Sequence, residues 1–259
     1  MAVPPHGHPE YNRLIPHGRD TALMFAARSG DLDSAKLLVS AGANVNDTDA
    51  WGVSATVLAA HSGYGELVAY LLDKGADPNL AAAGFTALHA AIMRRDENMV
   101  SSLLAHGANP NTPLQVWTPT RRSSRDFHFD PKLVGATPFW LASRFTQPSV
   151  MRLLKQCGAD PLFVHKPQYV TDDMKTHNEV ITPLMAATGM GGGTAWVQPD
   201  RNEREALMLE SLKLLAGFGI DINAVNTDGR SALDSAKALR FETVVKFLVD
   251  KGAKPGRTR

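Results

Sequence analysis

Six segments of this chain share one register, and this repetition constrains the fold more than any other feature. Each segment opens with a threonine or serine before an apolar helical stretch, namely Thr21, Ser54, Thr86, Thr137, Thr182 and Ser231. Each closes with a glycine after a second apolar stretch, namely Gly42, Gly75, Gly107, Gly158, Gly219 and Gly252. Opener and glycine are 21 residues apart in five segments and 37 apart in the remaining one, 182–219. Such a period predicts a solenoid, in which neighbouring units bury each other's hydrophobic faces.

Each unit has the signals of a short helical hairpin. The side-chain oxygen of a residue such as Thr86 can cap the free amides of a first helical turn. In two units the next residue is a proline, Pro138 or Pro183, which suits the first helical position. A paired apolar ridge such as Leu103–Leu104 marks the second helix. The closing glycine suits the left-handed position after a helix end, so each unit is predicted to be two helices and a turn.

These motifs resemble those of the ankyrin-repeat family, in particular a bacterial-type ankyrin repeat-containing protein with extended loops. The T-P-L-H-x-A-A signature is closest at Thr86–Ala91, with looser matches at Thr21–Ala27, Thr137–Ala142 and Thr182–Ala187. The Gly-Ala-Asp/Asn-x-Asn ending occurs at Gly42–Asn46, Gly75–Asn79 and Gly107–Asn111, and in part at Gly158–Pro161 and Gly219–Asn223. The resemblance implies an all-α solenoid of about six helix-hairpin repeats. Only the third unit keeps the signature histidine, His89, and we expect it to bond the Thr86 hydroxyl.

The predicted organisation is a lead-in followed by one array. Residues 1–17 are expected to form an irregular N-terminal lead-in, and residues 18–256 the repeats. The repeats are expected at about 18–50, 51–83, 84–134, 135–181, 182–228 and 229–256. The third and fourth carry long finger loops, and the fifth carries an insertion between its two helices.

Three insertions therefore interrupt the array, and long loops in compact domains are often functional. Two enlarge the turns at about Thr112–Val134 and Leu162–Ile181. The third lies around Gly189–Asn202, and we expect it to leave from the opposite end of the helices. A helix is predicted over Arg201–Ala216, with Trp196 packed against it.

Composition excludes several classes of function. The net charge of +1 gives no general attraction to nucleic acid or to an anionic membrane. A single cysteine, Cys157, rules out an internal disulfide framework. No apolar run approaches 18 residues, and the first twenty residues lack a hydrophobic signal core. We therefore expect a cytoplasmic monomer, with a secreted or periplasmic location open if the natural N-terminus lies upstream.

The resemblance implies a non-enzymatic protein–protein interaction scaffold. In the family, contacts commonly come from finger positions and from exposed positions of the inner helices. Carried onto this chain, those positions are Trp51, Val53, His61, Phe85, Met93, Arg94, Arg144 and Phe145. The enlarged first finger adds Trp117, Arg121, Arg122, Arg125, Phe127 and His128, because aromatic residues and arginine dominate interface energies. A structural alternative stays open, in which the finger's aromatic residues anchor the loop to the stack.

A small-molecule, anion or metal site built from the inserted loops is the alternative function. In one form, Arg121, Arg122 and Arg125 face the Gly191–Gly193 turn, although the two loops are expected at opposite ends of the helices. In another, Asp126, His128 and Asp130 meet His165, Asp172, Asp173 and His177 to hold a metal, with possible hydrolytic chemistry. The spacing of these residues matches no helical ligand motif such as H-E-x-x-H, so structural or exposed roles are favoured. No cofactor, resident metal or catalytic residue is expected.

Overall fold

The fold, taken from a computed structural model that describes residues 18–118, 128–170 and 175–257, is a stack of helical hairpins. The first member of each hairpin forms an inner layer: α1 (Ala22–Ser29), α3 (Ala55–Ser62), α5 (Ala87–Arg94), α7 (Pro138–Arg144), α9 (Pro183–Ala187) and α11 (Ala232–Leu239). The second members form an outer layer: α2 (Leu32–Ser40), α4 (Gly65–Asp73), α6 (Glu97–Ala105), α8 (Pro148–Gln156), α10 (Arg201–Ala216) and α12 (Glu242–Asp250). Each inner helix contacts the next inner helix, and each outer helix the next outer one. The all-α solenoid of six hairpins is confirmed.

The caps predicted from the sequence are those observed. All six openers are the N-cap residues of the inner helices. All six closing glycines have positive φ, between 77° and 95°. Residues with a Cβ are strained in that region, so glycine ends each hairpin at little cost. The prediction of α10 at Arg201–Ala216 is also confirmed.

An asparagine at the end of a repeat ties it to the following one. Asn46 donates its side-chain amide to the carbonyl of Gly75 at 3.1 Å and accepts from the backbone amide of Asp77 at 2.8 Å. The same two bonds recur at Asn79, Asn111 and Asn223. The equivalent residue in the fourth repeat is Leu162, whose side chain is exposed. The ladder is therefore interrupted where the second long finger begins.

The second finger contains the described β-structure that the all-α prediction did not include. Strands β1 (Gln168–Val170) and β2 (Thr176–Asn178) pair antiparallel, with Tyr169 opposite His177. The first finger ends in a short 3-10 helix, Pro131–Leu133, that Asp130 caps. Within the described residues, no helix is long and apolar enough to cross a membrane.

Candidate functional site

The concave face of the inner helices is open at one end of the array and covered in the middle. The fourth residue after each cap occupies the same position on each inner helix. In the first repeat it is Phe25, whose side chain is 59% exposed, and in the second it is the partly buried Leu58. In the third to fifth repeats it is Ala90, Leu141 and Ala186, all fully buried. Equivalent positions on the inner helices thus differ in exposure, and Phe25 of the first described repeat is the most exposed of them.

The covering element is the insertion between α9 and α10. The backbone amide of Trp196 donates to the carbonyl of Met93 on α5 at 2.9 Å. Its indole Nε1 donates to the carbonyl of His128, in the first finger, at 2.9 Å. The Trp196 ring lies 4.8 Å from that of His61 and 5.2 Å from that of Phe129, between centroids. The insertion therefore spans the concave face from the C-terminal ends of the inner helices to the finger.

These contacts bear on two expectations. The ring of Trp196 contacts those of His61 and Phe129, and its expected packing against α10 stays a prediction. The insertion and the first finger leave from opposite ends of the helices, as expected, yet the insertion reaches the finger. An inner helix of eight residues is only about 12 Å long, which a few extended residues can span.

Aromatic rings connect the finger, the turn of the second repeat and the insertion. Trp51 meets Phe85 at 6.0 Å, and Phe85 meets Phe129 at 5.0 Å. Phe129 then meets Trp196, which continues the cluster onto the insertion. Trp117 is also buried. For Phe129 the structural alternative is therefore the observed one, since its ring packs on Phe85 of the stack, and the burial of Trp117 agrees with the same alternative.

Three consecutive glycines allow the insertion to approach the repeats closely. Gly191, Gly192 and Gly193 all have positive φ, between 66° and 94°. A Cβ on Gly191 would lie 2.8 Å from the ring of Trp140. A Cβ on Gly193 would lie 2.8 Å from the side chain of Leu133 in the 3-10 helix. Side chains larger than hydrogen do not fit here. The glycines therefore allow the insertion to pack closely against both α7 and the first finger.

Arg144 holds this glycine turn. Its Nε donates to the carbonyl of Gly192 at 2.8 Å, and one terminal nitrogen donates to the carbonyl of Gly193 at 2.9 Å. Burial, together with the nearby charge of Arg204, lowers the pKa of Arg144 to about 10, and Asp130 opposes the shift. The guanidinium still remains charged at neutral pH. The turn thus presents carbonyls to a cation, the opposite polarity to an anion-binding nest of amides.

The predicted contact residues fall into three groups in the structure. Those with accessible surface are Trp51, His61, Arg94, His128 and Arg144. Those that the structure buries are Val53, Phe85, Met93, Trp117 and Phe145. Those outside the described residues are Arg121, Arg122, Arg125 and Phe127. The expected exposure of the five buried residues is wrong, because the finger base, the aromatic cluster and the insertion cover them.

The histidines considered as metal ligands have other contacts in the described residues. The ring of His165 is buried, lies 4.4 Å from that of Trp140, and bonds the Lys132 carbonyl through Nε2 at 2.9 Å. The ring of His177 stacks on Tyr169 at 5.6 Å. Asp126, Asp172 and Asp173 lie outside the described residues. Among the residues that are described, no three His, Cys, Asp or Glu side chains are grouped closely enough to hold a metal ion.

The sequence reasoning missed two arginines that the insertion brings together with Arg144. Arg95, at the end of α5, and Arg204, on α10, line one cavity with it. Aligning the repeats by their caps does draw attention to Arg95. The ninth residue after the cap is Gly30 in the first repeat and Gly63 in the second, but arginine in the third and the sixth. A charged residue at a position that favours glycine is a reason to look for a specific role.

Replacing Trp196 by alanine is expected to loosen the insertion. The change removes two aromatic contacts and the bond to the His128 carbonyl, which together should lower the free energy of unfolding by about 1 to 3 kcal/mol. Hydrogen exchange of backbone amides in 190–199 should become faster. Val197→Ala is the matched control, since the neighbouring Val197 is 46% exposed. Unchanged exchange in Trp196→Ala would contradict an anchoring role.

Comparisons with known proteins agree with this architecture. A family model for ankyrin repeats matches residues 23–114 as three copies. An ankyrin repeat-containing protein of Treponema pallidum (strain Nichols) is 39% identical over 90 residues, 34% of this chain and 30% of that protein. A mitochondrial disaggregase of Bos taurus is 31% identical over 132 residues, 37% of this chain and 20% of that protein. The chain thus spans less than a third of the length of either relative.

A solved structure resembles nearly the whole chain. The crystal structure of an ankyrin repeat domain from Acinetobacter baumannii AYE superposes with a TM-score of 0.61. The match covers 90% of this chain and 98% of that one, at 19% identity, which supports the fold alone. The chain thus contains ankyrin repeats over residues 23–114, and the capped hairpins, glycine turns and asparagine ladder continue that fold through the rest of the array.

Proposed function

We propose that this chain is a non-enzymatic scaffold that binds a partner protein at the open end of its concave face. Ankyrin repeats are generally protein–protein interaction modules. The observation that carries the proposal is the exposure of Phe25, on an inner helix, beside the partly buried Leu58 in the next repeat. An exposed aromatic residue in such a groove is a typical anchor for a partner. Trp51, His61 and Arg94 extend the proposed surface toward the insertion.

The insertion limits the length of groove that a partner can use. Its contacts with Met93, Trp140 and Arg144 place it against the inner helices of the third and fourth repeats. The proposed surface therefore comprises the first two repeats and the first finger, whose residues Arg121, Arg122, Arg125 and Phe127 remain candidate contacts. Fold resemblance does not name the partner, so its identity has to come from experiment.

Changing Phe25 to glutamate is expected to abolish partner binding without unfolding the array. A charge at the centre of an apolar contact should weaken affinity by tenfold or more, because the carboxylate must be desolvated. Capture from lysate with immobilised wild-type protein identifies the partner, and titration with that purified partner then gives the affinities. Since Phe25 is largely exposed, the free energy of unfolding should change by less than about 1 kcal/mol.

Leu37→Glu is the matched control. Leu37 belongs to the same repeat and is 71% exposed, but it lies on the outer helix α2. It should keep wild-type affinity. Equal losses in both variants would reject the concave face as the docking surface. A separate variant, Arg121→Glu/Arg122→Glu/Arg125→Glu, tests the finger, and wild-type affinity there would remove the finger from the proposed interface.

A further inference from the structure

A small cavity lies beneath the insertion, at the C-terminal ends of α5 and α7. Its volume is about 180 Å³, and three arginines from different parts of the chain line it: Arg95, Arg144 and Arg204. Thr146, Thr194 and Gln198 add polar groups to the lining. The wall contains no aspartate or glutamate. A concave site with several converging cations and no lining anion has the chemistry of an oxyanion site.

Carbonyl groups, rather than carboxylates, hold Arg95 and Arg144. Arg95 donates to the carbonyls of Phe145 and Thr146, and Arg144 donates to the carbonyls of the glycine turn. The Nε of Arg204 is buried and has no hydrogen-bond partner. The ion pairs observed among the described residues are Arg28–Asp20, His106–Asp73 and Arg152–Glu210, so none of them neutralises this cluster. A buried guanidinium nitrogen without a partner is costly unless something binds it.

The electrostatic environment agrees with an unneutralised cluster. Burial is the main cause of a lowered pKa for both Arg95 and Arg144, and for Arg144 the charge of Arg204 acts in the same direction. Glu203 raises the pKa of Arg95, and Asp130 raises that of Arg144. Neither carboxylate forms an ion pair within 4 Å of these guanidinium groups. The cluster thus keeps positive charge that a bound anion would neutralise.

Two cavity residues, Arg95 and Thr146, have the positive φ that this position shows in every repeat. The equivalents of Arg95 in the first two repeats are Gly30 and Gly63, which adopt this conformation without strain, whereas in the sixth repeat Arg240 has it but does not line the cavity. A long cationic side chain is therefore placed here at a backbone cost of about 1 kcal/mol.

We propose that Arg95, Arg144 and Arg204 form a binding site for the phosphate group of a small molecule or for the free phosphate ion. Guanidinium groups match the geometry and charge of phosphate oxygens, and three of them suit a dianion better than a monovalent carboxylate. The cavity is smaller than the 300 to 1,000 Å³ typical of drug-sized ligands, so it accommodates one such group and little more. The bound phosphate joins α7, α10 and the insertion, which all contribute to the wall.

The test is calorimetric titration of the full chain, in chloride buffer of constant ionic strength. The probes are inorganic phosphate, glycerol 3-phosphate as a small monoester, and succinate as a dicarboxylate. We expect phosphate, the monoester or both to bind, with succinate at least tenfold weaker. Tighter binding of inorganic phosphate would indicate a site for the free ion, and tighter binding of glycerol 3-phosphate a site for a phosphorylated small molecule. Absence of heat with both, up to 10 mM, or preference for succinate would overturn the proposal.

Arg204→Gln should weaken phosphate binding by tenfold or more, and Arg201→Gln should not. Both arginines lie on α10 and stack on the ring of Phe241, at 5.3 and 5.0 Å respectively, but only Arg204 lines the cavity. The two variants have the same net charge, so an equal loss in both would reveal non-specific attraction and reject the site. Circular dichroism and thermal melting establish that each variant is folded. Should Arg204→Gln be unfolded, Arg204→Lys replaces it, and undiminished binding there would contradict the requirement for a guanidinium.

Discussion

Replacement of Trp140 by alanine is expected to lower the free energy of unfolding by about 3 to 5 kcal/mol, the largest effect of any single change considered. Trp140 lies on α7 with no exposed surface. Its Nε1 donates to the carbonyl of Ile181 at 3.1 Å, at the end of the second finger. Its ring contacts that of His165 and lies so close to Gly191 that a Cβ there would be only 2.8 Å away. One side chain thus holds an inner helix, the second finger and the glycine turn together.

Chemical denaturation of the wild type and the variant measures this loss. Trp140→Phe is the informative companion, because it keeps most of the ring while removing the donor to Ile181. It should cost about 1 to 3 kcal/mol, from the loss of one hydrogen bond and a smaller cavity, since the Ile181 carbonyl still accepts from the backbone amide of His165. A Trp140→Ala loss below about 1 kcal/mol would contradict the packing described. The dependence of stability on denaturant should be compared as well, since a change in its slope signals loss of cooperativity in a repeat array.

Acidification from pH 7 to pH 4 is expected to remove about 3 kcal/mol of stability through His89. Burial lowers the pKa of His89 from 6.5 to about 4, and its bond to the Thr112 carbonyl opposes the shift. Nδ1 accepts from the backbone amide of Thr86, so the proton is on Nε2, which donates to Thr112 at 3.1 Å. Nδ1 also lies 2.9 Å from the Thr86 hydroxyl, the predicted partner. A second proton would leave the Thr86 amide without its acceptor.

The direction follows from proton binding in the two states. Between pH 4 and 6.5 the unfolded histidine binds a proton and the folded one does not, so stability rises with pH. The contribution is complete above pH 6.5 and is lost as the pH falls toward 4, by about 1.4 kcal/mol per unit of pKa difference. Burial lowers the pKa of His165 too, which adds a loss in the same direction.

Two measurements separate His89 from the other groups. In an NMR titration of the folded protein, the His89 ring should remain neutral down to about pH 5, and titration near 6.5 would contradict its burial. In denaturation experiments, His89→Gln should show a smaller loss between pH 7 and pH 5 than the wild type, by about 2 kcal/mol. His106→Gln is the control, because His106 lies on the surface, where its bond to the Ser102 carbonyl, and then Asp73, raise its pKa. That variant should retain the wild-type loss attributable to His89.

The array itself was determined by local sequence. A cap such as Thr86 bonds residues three positions away, and a closing glycine such as Gly107 relieves strain at its own φ. The 16-residue helix α10 follows from the composition of its own segment. Such features depend on neighbours within one turn of helix, so one sequence is enough to predict them.

Only the tertiary structure decided where the insertion lies and which residues it covers. The bond from Trp196 to Met93 joins residues 103 positions apart (196−93), and no local pattern predicts that pair. Phe85 and Phe25 are both aromatic residues of the repeats, yet one is buried in the aromatic cluster and the other is exposed. The cluster of Arg95, Arg144 and Arg204 likewise depends on three segments meeting at one cavity. Loop paths and side-chain exposure depend on long-range packing, whereas the period of the repeat can be read directly from the sequence.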